Sequence, residues 1–260
     1  MTDTLRIGLL QAPIVWEDRV ANLELYDGLL SGVSGSADLA VLPETFTTGF
    51  SMNVEAIGDA ADGATVVALK YWAKEYGMAI AGSFIAVEDG CYYNRGFLVT
   101  PEGGAFYYDK RHLFRMAGEA GHFTPGGKRT IVNYRGWNIC LQVCYDLRFP
   151  VWSRNVDNAY DLLIYVANWP ETRINVWTSL LPARAIENIA YVCGVNRTGC
   201  DGDGIVYSGR SAVYSPKGDI LASAGTEEAA AIVCTIQKSD LERLRAKFPA
   251  WKDADAFTLG

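Results

Sequence analysis

Apolar residues in this chain follow two rhythms: short runs with strand character, and longer segments in which they recur every three or four positions. Residues 5–11, 39–42, 78–87, 92–100 and 105–108 read as strands in the first half. Residues 131–134, 138–144, 161–167, 191–196, 211–214, 220–223 and 230–236 do so in the second. Pro-Glu-Gly-Gly at 101–104 and Arg135-Gly136 mark turns between neighbouring strands. Segment 16–30 sets Trp16, Val20, Leu23 and Leu30 roughly on one helical face, and Val66, Leu69, Ala73 and Tyr76 mark a second amphipathic helix. Residues 173–190 also have helical period, with Pro182 predicting a kink or break. Ser239 and Glu242 stand at capping-box spacing ahead of Leu241, Leu244 and Phe248, the start of a final helix.

Strands alternating with helices define an α/β protein. The runs 39–42 and 162–166 are apolar on both faces, so each must be covered from two sides. A layered sandwich with outer helices and internal sheet meets that need, and spacing alone leaves open one central sheet or two stacked ones. With no linker, low-complexity segment or charge run, residues 1–260 read as a single domain.

Composition narrows the picture. The chain has 260 residues, 50% of them hydrophobic, which is enough for one large core or at most two small ones. Its 14 Tyr and 7 Trp suit a walled pocket or an interface. A formal charge of −7 argues against nucleic acid or an anionic membrane as partner, although an anionic small substrate remains possible given a local Arg or Lys. The opening residues lack a signal-peptide pattern, and no apolar stretch approaches a membrane span. Cys91, Cys140, Cys144, Cys193, Cys200 and Cys234 form no Cys-x-x-Cys pair, and most lie in apolar segments. That usage fits reduced thiols in a cytoplasmic protein better than a disulfide framework.

Three strand-like runs end in a polar residue with chemical potential. Pro43 ends the 39–42 run and presents Glu44 at its exit. Residue type alone favours a solvated loop carboxylate there, whereas burial would raise its pKa toward the range useful for proton transfer. Lys110 follows Phe106-Tyr-Tyr-Asp; it is either a surface lysine beside Arg111 or an ammonium that stabilises developing negative charge. In 138–144, strand alternation puts Asn138, Cys140, Gln142 and Cys144 on one face. A buried inert thiol suits Cys140, Cys193 and Cys234; Cys144 instead adjoins a turn rich in polar groups. A Cys–His pair would have to draw on His112 or His122, and a zinc site on Cys140 and Cys144 lacks further ligands at the usual spacing. The glycine-rich run 199–204 has no strand-to-helix context for a phosphate loop and reads as a turn. No cofactor or metal site is expected.

Leu42-Pro-Glu44, Tyr108-Asp-Lys-Arg-His-Leu-Phe114 and Val143-Cys-Tyr-Asp-Leu-Arg-Phe149 closely resemble, in order and separation, the three motifs of the nitrilase, or carbon–nitrogen hydrolase, superfamily. Matches continue through Ala183–Asn188, Ser208–Ser211 and Ser215–Gly218, so the resemblance covers nearly the whole chain. The runs 44–50, 165–170 and 248–251 are similar to the bacterial omega-amidase branch, which deamidates the terminal amide of 2-oxo acid amides such as 2-oxoglutaramate. The resemblance implies a four-layer α-β-β-α sandwich, pairing into a homodimer.

It further implies Cys144 as nucleophile, Glu44 as acid and base, and Lys110 with a backbone N–H, that of Tyr145, as oxyanion stabilisers. Glu119 matches a family position near the site, where it would orient Lys110 or the substrate; a plain loop charge is the alternative. Arg148 resembles a position that binds a substrate carboxylate, with an internal salt bridge to Asp146 or another acid as its rival. Phe114 and Trp169 match pocket walls and would serve equally as core aromatics. The leading expectation is an amidase acting on a small carboxylated amide. A nitrilase or N-carbamyl hydrolase with the same three residues, and a catalytically silent binding module, are the alternatives. Arg210 stands where relatives of this branch often carry a smaller or acidic residue, and would alter substrate choice if its loop borders the pocket.

Overall fold

The computed structural model describes residues 2–226 and 228–258. In chain order its strands are β1 (Thr4–Gln11), β2 (Leu39–Val41), β3 (Asp59–Ala60), β4 (Ala79–Glu88), β5 (Cys91–Val99), β6 (Ala105–Asp109), β7 (Thr130–Tyr134), β8 (Trp137–Val143), β9 (Leu162–Ala167), β10 (Tyr191–Asn196), β11 (Thr198–Cys200), β12 (Val206–Ser208), β13 (Ala212–Tyr214), β14 (Ile220–Ser223) and β15 (Ala230–Gln237). The helices are α1 (Arg19–Val33), α2 (Val54–Ile57), α3 (Ala64–Tyr76), α4 (Pro150–Ser153), α5 (Ile174–Asn188) and α6 (Lys238–Lys247). Among the described residues no helix is long and apolar enough to cross a membrane.

Two sheets are stacked, which resolves the choice that periodicity left open. One runs β15-β1-β2-β4-β5-β6, with β3 beside β4; the other runs β14-β13-β10-β9-β8-β7. β1, β2 and β4 are mutually parallel, and so are β8, β9 and β10. Alternation sorts side chains between layers. From β9, Leu162, Ile164 and Val166 enter the core between the sheets, while Leu163, Tyr165 and Ala167 face the layer that includes Trp177 and Leu181 of α5. From β1, Leu5, Ile7 and Leu9 point inward, and Leu10 joins Tyr26 and Leu30 of α1 and Leu69 of α3. The result is the expected α-β-β-α sandwich, in which a strand apolar on both faces has a partner on each.

Local differences from expectation have physical causes. α1 starts only at Arg19, because the Asp18 carboxylate caps it by accepting from the Ala21 N–H at 3.0 Å. Trp16 therefore lies outside the helix, packed so closely on Gly202 that an added Cβ would come within 2.3 Å of its Nε1. Val20 faces solvent, and Asn22, Tyr26, Leu30 and Val33 form the buried face instead. α5 passes through Pro182 unbroken. Its Trp177, Leu181 and Ala185 are buried against β10, where Gly194 allows the approach; a Cβ there would meet Leu181 at 2.5 Å. That packing offsets the lost backbone hydrogen bond. The capping box before α6 does not form: Ser239 donates its N–H and hydroxyl to the Asp3 carboxylate, both at 2.9 Å.

Ile164 is fully buried between the sheets. Ile164→Ala should destabilise the protein by about 2–5 kcal/mol, read as a lowered denaturant midpoint at unchanged slope.

Candidate active site

Four strands end at one place. β2 leads into Glu44, β6 into Lys110, β8 into Cys144 and β9 into Asn168. In open α/β sheets the carboxyl ends of parallel strands are where ligands bind, because the chain there leaves the ladder and frees its polar groups. Pro43 ends the run as expected, and Thr45 turns away with φ +43°, its N–H donating to Ser83 Oγ at 2.8 Å. β8 stops at Val143, which sits opposite Val166 of β9, so Cys144 and Asn168 emerge on adjacent strands.

Glu44, Lys110 and Glu119 are each no more than 1% exposed, so the reading of Glu44 as a solvated loop carboxylate and of Lys110 as a surface lysine is set aside. Lys110 Nζ donates to Glu44 Oε1 at 3.0 Å and to Glu119 Oε1 and Oε2 at 2.9 and 3.0 Å. Glu119 also accepts the Phe114 N–H, which ties its loop to the strand end carrying Lys110. Burial alone would push the ammonium to lose its proton, but Glu119 and then Glu44 outweigh it and hold the Lys110 pKa above its ordinary value. Burial raises the Glu119 carboxyl, and Lys110 draws it back.

Two asparagines, neither singled out from the sequence, complete this network. Asn94 Nδ2 donates to Glu44 Oε1 at 2.7 Å, while its Oδ1 accepts from Ser83 Oγ at 2.9 Å. Asn168 donates its backbone N–H to Glu44 Oε2 and its Nδ2 to the Glu44 carbonyl, both at 2.7 Å. Glu44, carried by one sheet, is thereby fixed by the other. The available signal was a polar residue inside a strand run (Asn94) and another just past one (Asn168), which residue type alone does not separate from a structural amide.

Cys144 leaves the alternation of β8: its φ is +45°, in the left-handed region, and it opens a 3₁₀ turn over Cys144–Arg148. The expected placement of its side chain in line with Cys140 and Gln142 thus ends at Val143. Asp146 holds this turn, accepting from Tyr108 Oη at 2.7 Å, the His112 N–H at 3.0 Å and the Val143 N–H at 3.1 Å. Tyr145 lies in the first turn, where backbone N–H groups have no intrahelical acceptor. Burial and then the Glu44 charge raise the Cys144 thiol well above its ordinary pKa, and Lys110 pulls in the opposite direction.

Cys144 opens onto a small cavity of about 70 Å³, whose lining includes Glu44, Lys110, Phe114, Tyr145, Arg148 and Trp169. Every residue singled out from the sequence for the site except Glu119 therefore lines one space, and Glu119 stands behind Lys110. Phe50, Arg173, Ile205 and Tyr207 line it as well and were not anticipated. Arg148 makes no salt bridge to Asp146, whose oxygens are taken as described; its guanidinium lies 5.3 Å from the Trp169 ring centroid. Phe114 is half-buried against Tyr145, with ring centroids 5.0 Å apart, and Trp169 is at once cavity wall and core. Arg210 is exposed and outside this lining; its carbonyl accepts the Trp177 Nε1–H at 3.0 Å.

Comparison with known proteins agrees with this geometry. A family model described as carbon-nitrogen hydrolase matches residues 6–246. Omega-amidase YafV of Escherichia coli is 50% identical, with 98% of each chain covered. The 2-oxoglutaramate amidase of Bacillus subtilis is 31% identical over 95% of this chain and 96% of the relative. A CN-hydrolase superfamily protein of Xanthomonas campestris, solved with an arsenic adduct in its active site, has a TM-score of 0.97 at 41% identity, covering 100% of both chains. A mutant of the amidase from Nesterenkonia, in which acrylamide has added to the active-site cysteine, has a TM-score of 0.82 at 28% identity, covering 94% of this chain and 98% of that one.

Alkylation reads the thiol's ionisation, since the thiolate is the nucleophile. Because the Cys144 pKa is raised, its rate of modification by iodoacetamide should be low at neutral pH and still be climbing above pH 9. Glu44→Gln removes a charge that disfavours the thiolate, so the profile should move to lower pH. A wild-type plateau near pH 7 would contradict this assignment.

Proposed function

The chain belongs to the carbon–nitrogen hydrolase family, and from that membership we propose that it is an omega-amidase, releasing ammonia from the terminal amide of a small 2-oxo acid amide of the 2-oxoglutaramate or 2-oxosuccinamate type. The observation that carries the reading is one small cavity in which Cys144 meets a buried Glu44–Lys110 pair while the half-buried Arg148 guanidinium makes no salt bridge among the described residues. A reacting amide at the first and an anionic tail at the second describe a short carboxylated amide.

The chemistry follows from the groups. Glu44 takes the thiol proton as Cys144 Sγ bonds to the amide carbon, and the C=O electrons move onto oxygen. Lys110 and the Tyr145 N–H stabilise that oxyanion. As it collapses, the C–N bond breaks, Glu44 gives the proton to the departing nitrogen, and a thioester remains. Water, deprotonated by Glu44, then attacks the thioester; the acid leaves and the thiol is restored. Transfer of the thiol proton to Glu44 relocates charge within a cluster whose sum does not change. The raised thiol pKa is compatible with this order, because the proton need move only as attack begins. Glu119 acts by holding Lys110 in place. We place the enzyme in the cytoplasm as a homodimer, on the grounds of its reduced-thiol composition and family resemblance.

The test is ammonia release from 2-oxoglutaramate by the wild type, Cys144→Ala and Glu44→Gln, with nitrile, N-carbamyl and neutral amide substrates alongside. Turnover should vanish in Cys144→Ala and fall by about 10²-fold or more in Glu44→Gln. Wild-type activity on nitriles or carbamyl compounds alone would overturn the omega-amidase reading, and equal activity in Cys144→Ala would remove Cys144 as nucleophile.

A further inference from the structure

The cavity holds a second guanidinium that the mechanism does not use. Arg173 ends the 3₁₀ turn Glu171–Arg173 and immediately precedes α5. Its guanidinium lies 5.2 Å from the ring centroid of Phe114, much as Arg148 lies against Trp169. Both arginines are half-buried, and among the described residues neither has a salt-bridge partner. Stacking on an aromatic face fixes the plane of a guanidinium and leaves its edge donors free. Glu44 and Lys110 are fully buried, so the two arginines form the outer part of the cavity.

Charge in this space is sharply divided. Among the described residues Glu44 is the lone carboxylate of the lining, and it is already engaged by Lys110, Asn94 and Asn168. No carboxylate among the described residues of the lining is left to receive a further cation. The outer part offers two cations and several N–H donors. An amide whose scissile end sits at Cys144 must place its far end among them.

We propose that Arg173, acting with Arg148, selects 2-oxo acid amides against the corresponding 2-amino acid amides. This rests on the amidase reading above and names the group that sets its substrate class. A carboxylate beside a carbonyl presents acceptors only, which two guanidinium edges satisfy together. The amino acid analogue replaces the carbonyl with an ammonium, which has donors only and carries the same charge as both arginines. Its ammonium would lose hydration next to two like charges, with no second carboxylate among the described lining residues to compensate. Arg148 alone would hold a carboxylate whatever its neighbour; the second cation makes the neighbouring group matter.

Steady-state kinetics on three amides of equal chain length separate the possibilities: 2-oxoglutaramate, glutamine, and glutaramate, which has the carboxylate but no 2-substituent. In the wild type, kcat/KM should fall from 2-oxoglutaramate to glutaramate to glutamine. Arg173→Gln should lower kcat/KM for 2-oxoglutaramate by about tenfold or more, mainly through KM, as expected for lost ground-state binding. Glutaramate should lose less and glutamine least, so the preference for the 2-oxo acid over the amino acid shrinks by about the same factor. Arg173→Lys keeps the charge without the fork and should retain most of the discrimination against glutamine. An equal loss on all three amides in Arg173→Gln would mark a structural role and overturn the proposal. So would an unchanged preference, with the amidase reading left standing. Wild-type protein that hydrolyses neutral short amides but none of these three would overturn that reading and the selection with it.

Discussion

A lysine ammonium buried between two carboxylates is the constraint on which this structure turns. Lys110, Glu44 and Glu119 are all inaccessible to water, and removing such groups from solvent costs several kcal/mol per ion unless partners replace the lost hydration. Replacement here is thorough. Lys110 reaches both carboxylates within 3.0 Å; Glu44 further accepts from Asn94 and Asn168, and Glu119 from the Phe114 N–H. These partners come from β2, β5, β6 and β9 and from the loop before β7. Sheet stacking, strand lengths and loop paths must therefore agree at one point. The two-sheet core brings these strand ends together, and the ion cluster fixes how closely they meet.

Much of this was legible in sequence, for reasons specific to each element. Strands such as β9 stood out because both faces are apolar, and a layered sandwich with outer helices follows from that alone. Glu44, Lys110 and Cys144 were visible because each closes an apolar run with a residue that hydrophobic periodicity does not explain. Their meeting was not: it depends on β2 and β6 lying in one sheet and β8 in the other, which the motif resemblance carried and periodicity did not. Asn94 and Asn168 went unremarked because a buried amide looks like any polar interruption until its partners are known. Arg173 closes a 3₁₀ turn just ahead of α5, where residue type says nothing about direction. The misread helix ends share a further cause. Asp18 caps α1 two residues past the expected start, and Asp3, from the far end of the chain, takes the Ser239 N–H and hydroxyl at the start of α6.

The left-handed backbone at Cys144 ties the geometry to reactivity. A non-glycine residue at φ +45° costs on the order of 1–3 kcal/mol and persists only where its surroundings over-determine it. Asp146 provides that determination, gripping Val143 before the bend and Tyr108 and His112 on the neighbouring segment. The same segment carries Lys110. One carboxylate thus sets the turn that carries Cys144 against the strand end that carries Lys110, and it does so from outside the cavity lining.

Net charge misleads about what such a cavity attracts. The chain carries −7 overall, and the buried cluster, with two carboxylates against one ammonium, is itself negative when both acids are ionised. That local negative charge adds to burial in raising the thiol, because a thiolate would place a further negative charge beside Glu44. An anionic substrate would face the same repulsion if it met the cluster directly. Arg148 and Arg173 stand between the cluster and solvent, where the dielectric is higher and their charges need no buried partner. On the proposed reading, separating the two signs along a single cavity leaves Glu44 to accept a proton while the outer part draws an anion in. The separation then selects substrate length, since the amide must reach Cys144 while its charged end remains with the arginines.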